Sequence, residues 1–269
     1  MILLGGLRFD IAADGPLAPE ESLWIESHTV EEPAPTAPSF RLLLTGPDAG
    51  IDRMAEHPRE SPALIRTEGS TITIAFSTFF GSIDPTAGFG TIHRREGARS
   101  YPLEAISRVA LCCRLPLEGG LPLHAAGVVS GGQGVVFFGP SGAGKSTIAA
   151  LSPHPVLSDE LVVLTGGARF GLRASGFWGS LDRADAPAGG FPLAALIELR
   201  KGEEFALDRL PAVDAFRRLL GVTMVPPSPP LWAAAAAVLD RVARGAPVFT
   251  MTWSPSHPPW NDLARILRI

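Results

Sequence analysis

Residues 139–147 read GPSGAGKST, and the first eight fit the phosphate-loop (Walker A) pattern G-x-x-x-x-G-K-[ST]. The chemistry of such a loop is anion binding. Gly139, Gly142 and Gly144 let the backbone turn so that successive N–H groups face inward, which makes Gly139, Pro140, Ser141, Gly142, Ala143, Gly144, Lys145, Ser146 and Thr147 the candidate nucleotide-binding segment. The Lys145 ammonium reaches the β and γ phosphates, and the Ser146 hydroxyl can ligate magnesium. At ~4 Å and an effective dielectric of about 20, one such charge pair is worth roughly 4 kcal/mol. Lysine is scarce here: only Lys145 and Lys201 occur among 23 basic residues, so composition does not account for a lysine at the position the pattern requires.

Carboxylates follow the loop. VLSDE supplies Asp159 and Glu160, 14 and 15 residues after Lys145, and magnesium favours hard oxygen ligands of this kind. His124, in LPLHAAGVV, is the third chemical group. A lone histidine in an apolar strand is usually a packed core residue, but this strand leads towards the phosphate loop. The string SGGQ (130–133) looks like part of the signature of ABC-transporter ATPases, yet it precedes the loop and lies between two β-prone runs. Gly131 and Gly132 instead fit a tight hairpin turn that needs positive φ.

These residues require a specific scaffold. LPLHAAGVVS and GVVFFG read as a β-hairpin, followed by the glycine loop, a short helix from about Lys145 to Leu151, and the strand-like VLSDELVVL. Strand, loop, helix, strand is the order of a P-loop unit. Further strands are expected at 168–180, 192–200 and 247–253, with helices at 212–220, at 231–244 and after Trp260. The first hundred residues read as β-rich, with strands at 40–44 and 70–76 and a Pro-rich loop at 31–39. Residues 103–115 have helical spacing, with Cys112 and Cys113 as core residues. The expected division is a β-rich region over 1–100 and a P-loop domain over 101–269, in an α/β chain with a mixed sheet.

Bulk composition narrows the partners. A net charge of −4 and a pI near 5.9 argue against a nucleic-acid footprint. Two adjacent cysteines cannot make a disulfide framework, and no apolar run approaches the ~18 residues that span a bilayer, so a cytoplasmic protein with no membrane partner is expected. Asn261 is the only asparagine, which removes the N-K-x-D motif of Ras-like GTPases and the H-R-D-x-x-x-x-N loop of protein kinases. Arg183, Arg200 and Trp178 are secondary candidates for phosphate clamping or for lining a cleft; solvated charges and a half-buried core aromatic are the ordinary alternatives.

Residues 121–165 resemble the catalytic core of HPr kinase/phosphorylase and HprK-related kinases, which share a fold with phosphoenolpyruvate carboxykinase. The resemblance rests on LPLHAAGV, GVVFFGPSGAGKST and VLSDE, and on a histidine 21 residues before the loop lysine, as His124 precedes Lys145. It implies a phosphoenolpyruvate carboxykinase-like P-loop core that uses ATP and Mg²⁺. His124 would lie beside the reacting phosphoryl group, and Asp159 would take the proton of the acceptor hydroxyl. Glu160 falls where the family usually has Asp, and the stretch from lysine to acid is somewhat shorter than in the bifunctional enzymes. GFWGS and PLAALIELRKGEEFALDRL are similar to the downstream part of HprK-related proteins of peptide-modification clusters, including lasso-peptide kinases. No counterpart of an HPr-docking segment is evident, so HPr itself is not the expected acceptor.

The expectation is therefore an ATP-dependent kinase acting on a hydroxyl, a serine of a peptide or small protein, with His124, Lys145 and Asp159 catalytic and Ser146, Asp159 and Glu160 on the metal. Two alternatives stand beside it: a nucleotide-binding accessory protein without transferase activity, and a kinase of a small metabolite such as free serine. Assembly into a homo-oligomer is left open.

Overall fold

The computed structural model describes residues 1–29, 39–46, 64–76, 79–94, 101–167, 169–181 and 186–269. Their contacts divide the chain into two compact units, Met1–Leu117 with Val225–Trp232, and Glu118–Met224 with Ala233–Ile269. Each contains a mixed sheet, so the chain is mixed α/β with strands predominating.

In the first unit the elements are β1 (Ile2–Leu4), β2 (Leu7–Ala13), α1 (Pro19–His28), β3 (Ser39–Thr45), β4 (Leu64–Glu68), β5 (Thr71–Phe76), β6 (Phe79–Asp84), β7 (Phe89–Arg94) and α2 (Tyr101–Leu117). The sheet order is β1-β2-β3-β7-β6-β5-β4. Pairing is parallel for β2–β3 and β3–β7 and antiparallel elsewhere. Helix α2 begins at the expected domain boundary but belongs to this unit, because its apolar stripe packs on β7, β3 and β6. Leu103, Ile106, Ala110 and Cys113 are all fully buried, and Ile106 approaches β6 so closely that a Cβ on Gly81 would lie 2.5 Å from its Cδ1. Both cysteines are free, and burial pushes the Cys112 thiol up to about 12 and Cys113 well above its usual range, so they act as small core hydrophobes.

Helix α1 was not expected from periodicity. Its signal lies at its start: Pro19 opens the first turn, Glu20 and Glu21 follow, and the Glu21 carboxylate accepts the Ala18 N–H at 2.9 Å. The same carboxylate, fully buried, forms an ion pair with Arg94 of β7 and thereby fixes the helix to the sheet. The Pro-rich stretch 31–39 falls, apart from Ser39, outside the described residues.

In the second unit the elements are β8 (Leu121–Ser130), β9 (Gln133–Phe138), α3 (Lys145–Ala150), β10 (Val156–Ser158), β11 (Leu161–Thr165), β12 (Gly171–Ala174), β13 (Phe191–Lys201), β14 (Ala206–Arg209), α4 (Ala212–Leu220), α5 (Pro229–Gly245), β15 (Val248–Trp253) and α6 (Trp260–Leu267). The first four residues of α5 are grouped with the other unit. Strand order is β10-β8-β11-β12-β13-β15-β14, with β9 paired to β13 and β8. At its centre β9, β13 and β15 run parallel, so their carboxyl ends lie at one edge of the sheet. Strands β8 and β9 form the antiparallel hairpin read from sequence, closed by Gly131 and Gly132 at φ +55° and +76°; the ABC-like string is this turn.

The apolar face formed by Ala126 and Val128 of β8, Val135 and Phe137 of β9, Ala195, Ile197 and Leu199 of β13, and Met251 and Trp253 of β15 buries Ile148 and Ala149 of α3 and Trp260 and Leu263 of α6. The strand expected over 168–180 is shorter than read. It covers Gly171–Ala174 only, because Ser175 turns its hydroxyl back onto the chain and Gly176 adopts φ +90°. Among the described residues no helix is long and apolar enough to cross a membrane.

Candidate functional site

Four neighbouring strands carry the chemistry. Strand β8 lies between β9, which feeds the glycine loop, and the β10–β11 pair, which carries the acids. Ala126 pairs with Phe137, and side chains alternate along a strand, so His124 lies on the face that α3 covers. Ala125 pairs with Phe138, the residue before Gly139, which sets His124 at the mouth of the loop. On the other side His124 is in register with Leu161, and Ala125 N–H donates to Glu160 C=O at 3.1 Å. The sequence interval between His124 and Lys145 is thus the length of one hairpin plus one loop.

The loop is built from its glycines. Gly139, Gly142 and Gly144 have φ of +151°, +77° and +103°. At Gly144 a Cβ would also lie 3.2 Å from Cζ2 of the buried Trp253, so backbone conformation and packing both call for glycine. Lys145 is 7% exposed, and its Nζ donates to the carbonyls of Gly139 at 3.0 Å and Pro140 at 3.4 Å. Burial holds this ammonium below its ordinary pKa, because two carbonyl dipoles replace only part of its hydration. Helix α3 is six residues long and ends before the SPHP segment, whose prolines cannot extend it.

A cleft of about 400 Å³ joins these parts, lined by His124, Ser141, Gly142, Gly144, Lys145, Ser146, Thr147, Asp159, Glu160, Gly179 and Ser180. All of the residues read as catalytic or metal-binding are among them. Gly139, Pro140 and Ala143 are not; the first two offer carbonyls to Lys145, and Ala143 faces a second cleft of about 340 Å³ with Lys201, Glu203, Trp253 and Ser254.

Gly179 and Ser180 were not read from the sequence as site residues. Asp159, 3% exposed, accepts the Gly179 N–H on Oδ1 and the Ser180 N–H on Oδ2, both at 2.9 Å. Asp159 and Glu160 occupy the break between β10 and β11, where the ladder lapses and the side chains can turn towards the loop.

The remaining candidates lie elsewhere. Arg200 is outside both clefts and pairs with the buried Glu198 at 3.4 Å, as Arg218 does at 3.0 Å. Arg183 and His57 fall outside the described residues. Trp178 packs against the apolar core. His28 and His93 bond to Trp24 O and Thr45 Oγ1, while His154 lies against Trp260. His257 forms a bridge with Ser254.

Among the described residues no group of three or more His, Cys, Asp and Glu side chains is arranged to enclose a metal by itself. Ser146, Asp159 and Glu160 offer hard oxygens in the cleft, and magnesium is commonly held by one or two carboxylates plus substrate phosphates with waters retained. The donor set therefore fits a phosphate-associated magnesium ion. Fold and site together define a chain in which a glycine loop and its lysine share one cleft with a histidine and two acids. No protein-family model matches the chain, and no curated protein is similar enough to stand as a relative.

Proposed function

We propose that the protein is an ATP- and magnesium-dependent kinase that transfers the γ-phosphoryl group to a hydroxyl, a serine of a peptide or small protein. The observation that carries this reading is that Lys145 and Ser146 share one cleft with His124, Asp159 and Glu160. A simple anion site needs the first pair only. A transferase also needs a group to receive the acceptor's proton, and Asp159 stands across the cleft from the loop with both oxygens fixed. We further infer a phosphoenolpyruvate carboxykinase-like core, a reading supported by the strand, loop and helix order and by the acid-bearing strands beside β8.

Each residue has a defined task. Lys145 exchanges the carbonyls of Gly139 and Pro140 for the β and γ phosphates, which return to the ammonium the charge stabilisation that burial removed. The acceptor hydroxyl oxygen forms a bond to the γ phosphorus as the bond from phosphorus to the β–γ bridging oxygen breaks. Its proton passes to the Asp159 carboxylate, and ADP leaves with the bonding pair. His124, at the mouth of the loop, lies beside the transferred group. Magnesium, held by Ser146, Asp159 and Glu160 together with phosphate oxygens, would supply charge neutralisation. Transfer of this kind is chiefly positioning and electrostatics.

The test is transfer of label from γ-labelled ATP to serine-containing peptides, with free serine as a parallel acceptor. Peptide labelling lost in Asp159→Asn, with affinity for magnesium-free nucleotide kept, supports the kinase. Labelling of free serine alone assigns a metabolite kinase, and nucleotide binding without product on either acceptor assigns an accessory protein.

A further inference from the structure

The acid-bearing corner is held by a hydrogen-bond system that conventional motif reading does not include. Ser158 and Ser175 are both fully buried. Ser158 Oγ donates to Phe177 C=O at 2.7 Å and accepts the N–H groups of Glu160 and Leu161, each at 3.0 Å. Ser175 Oγ donates to Leu161 C=O at 2.5 Å and accepts the Phe177 N–H at 3.0 Å. Each serine thus joins the 159–161 corner to Phe177. Two residues further on, Gly179 and Ser180 give one N–H to each oxygen of Asp159.

We propose that the segment Ser175–Ser180, registered by Ser158 and Ser175, is a positioning clamp that fixes the Asp159 carboxylate for proton transfer; this rests on the kinase reading. Ser158 and Ser175 are positioning residues. Neither lines the cleft, and they act by placing two backbone N–H groups. A carboxylate on a short side chain would otherwise turn about its terminal torsion, which is broad and only two-fold. With one N–H on each oxygen that rotation is stopped, and each oxygen keeps a further lone-pair direction for the cleft. Buried hydroxyls that both donate and accept leave no slack in the register of the corner.

Gly179 gives the most direct lever. Its φ lies outside the left-handed region, so alanine is compatible with the backbone, but the added Cβ would lie 3.2 Å from Asp159 Oδ2, 3.4 Å from Oδ1 and 3.2 Å from Glu160 Cβ. Alanine therefore displaces the carboxylate by a few tenths of an ångström while leaving both serines in place. A misplacement of about 1 Å can cost a hundredfold in rate, so the expected loss in kcat is about tenfold, with the Kd for magnesium-free nucleotide within about twofold.

Two measurements test the clamp. Amide hydrogen exchange should find the Gly179 and Ser180 N–H groups protected in the wild-type chain and released in Asp159→Ala; unprotected amides in the wild type overturn the proposal without any assay of activity. A double-mutant cycle in kcat then asks whether Gly179→Ala and Ser175→Ala act through Asp159. Their effects should disappear in an Asp159→Asn background, whereas additive losses assign a merely structural role and overturn the positioning. A wild-type protein that transfers no phosphoryl group overturns the kinase reading instead, and the exchange result then decides the clamp alone.

Discussion

The glycine loop at 139–147 and the segment at 175–180 both follow a β-strand, both contain glycines, and both present backbone to one cleft. They differ in what fixes their shape. The loop is determined mainly locally: apart from the packing of Trp253 against Gly144, glycine conformations and a lysine folded back onto its own carbonyls are interactions over six residues or fewer. The second segment is shaped by partners 14 to 21 residues away in sequence, Leu161, Ser158 and Asp159. A locally determined loop can be recognised as a motif. A segment held by tertiary hydrogen bonds has no pattern of its own, although SGFWGS does contain the small residues that permit close approach.

The sharpest break in this comparison comes from Lys145→Met, which keeps an unbranched side chain one atom shorter and removes the charge. Nucleotide affinity should fall by about three orders of magnitude if one pair worth roughly 4 kcal/mol is lost, and calorimetric titration with the ATP–magnesium complex would check it. A loss of only a few-fold would mean that the loop N–H groups, and not the lysine, carry binding. Asp159→Asn addresses the other segment. Transfer should drop by about a hundredfold or more, the usual scale for a general base, while affinity for magnesium-free nucleotide changes little.

What was legible in the sequence follows the same division. The β8–β9 hairpin, the loop, α3 and the meeting of His124 and Lys145 at one cleft were all readable, because the hairpin turns on two adjacent glycines and the spacing is short-range. Strands β13 and β15 and helices α4, α5 and α6 were readable as apolar runs or amphipathic repeats bounded by Pro and Gly. Helix α1 was missed because its core contacts include a buried carboxylate paired with Arg94, which no apolar period records. The strand over 168–180 was read too long because apolar residues resume at Phe177 and Trp178, whereas Ser175 leaves the ladder to bond Leu161. The placement of α2 in the first unit depends on which sheet its apolar stripe meets, and a stripe does not name its partner.

Ser175→Ala should separate the two segments by stability. The substitution leaves Leu161 C=O without this donor and Phe177 N–H without this acceptor, both buried. An unfolding free-energy loss of about 1–3 kcal/mol is expected, read as a lower urea midpoint at an unchanged slope. Gly142 has no neighbour within 4 Å of an added Cβ, so Gly142→Ala carries only the cost of its left-handed φ of +77°, about 1–2 kcal/mol, and should act on nucleotide binding more than on packing.

The smallest effect is also the most diagnostic, because its sign differs between folding and binding. Burial lowers the pKa of Lys145 from 10.5, so between the lowered value and 10.5 the unfolded chain binds more protons than the native one, and this lysine makes stability rise with pH across that window. Phosphate binding acts in the opposite sense. An anion beside the ammonium favours its charged form, so the complex holds more protons than the free protein, and nucleotide affinity falls as pH rises through the free-state pKa. The fall is at most about tenfold per pH unit for a single group. Titrations at stepped alkaline pH, paired with urea midpoints at each step, should give opposite slopes in the wild type and neither slope in Lys145→Met. Parallel declines in both quantities would mean that the chain is losing its fold at high pH, and the lysine would not be the titrating group.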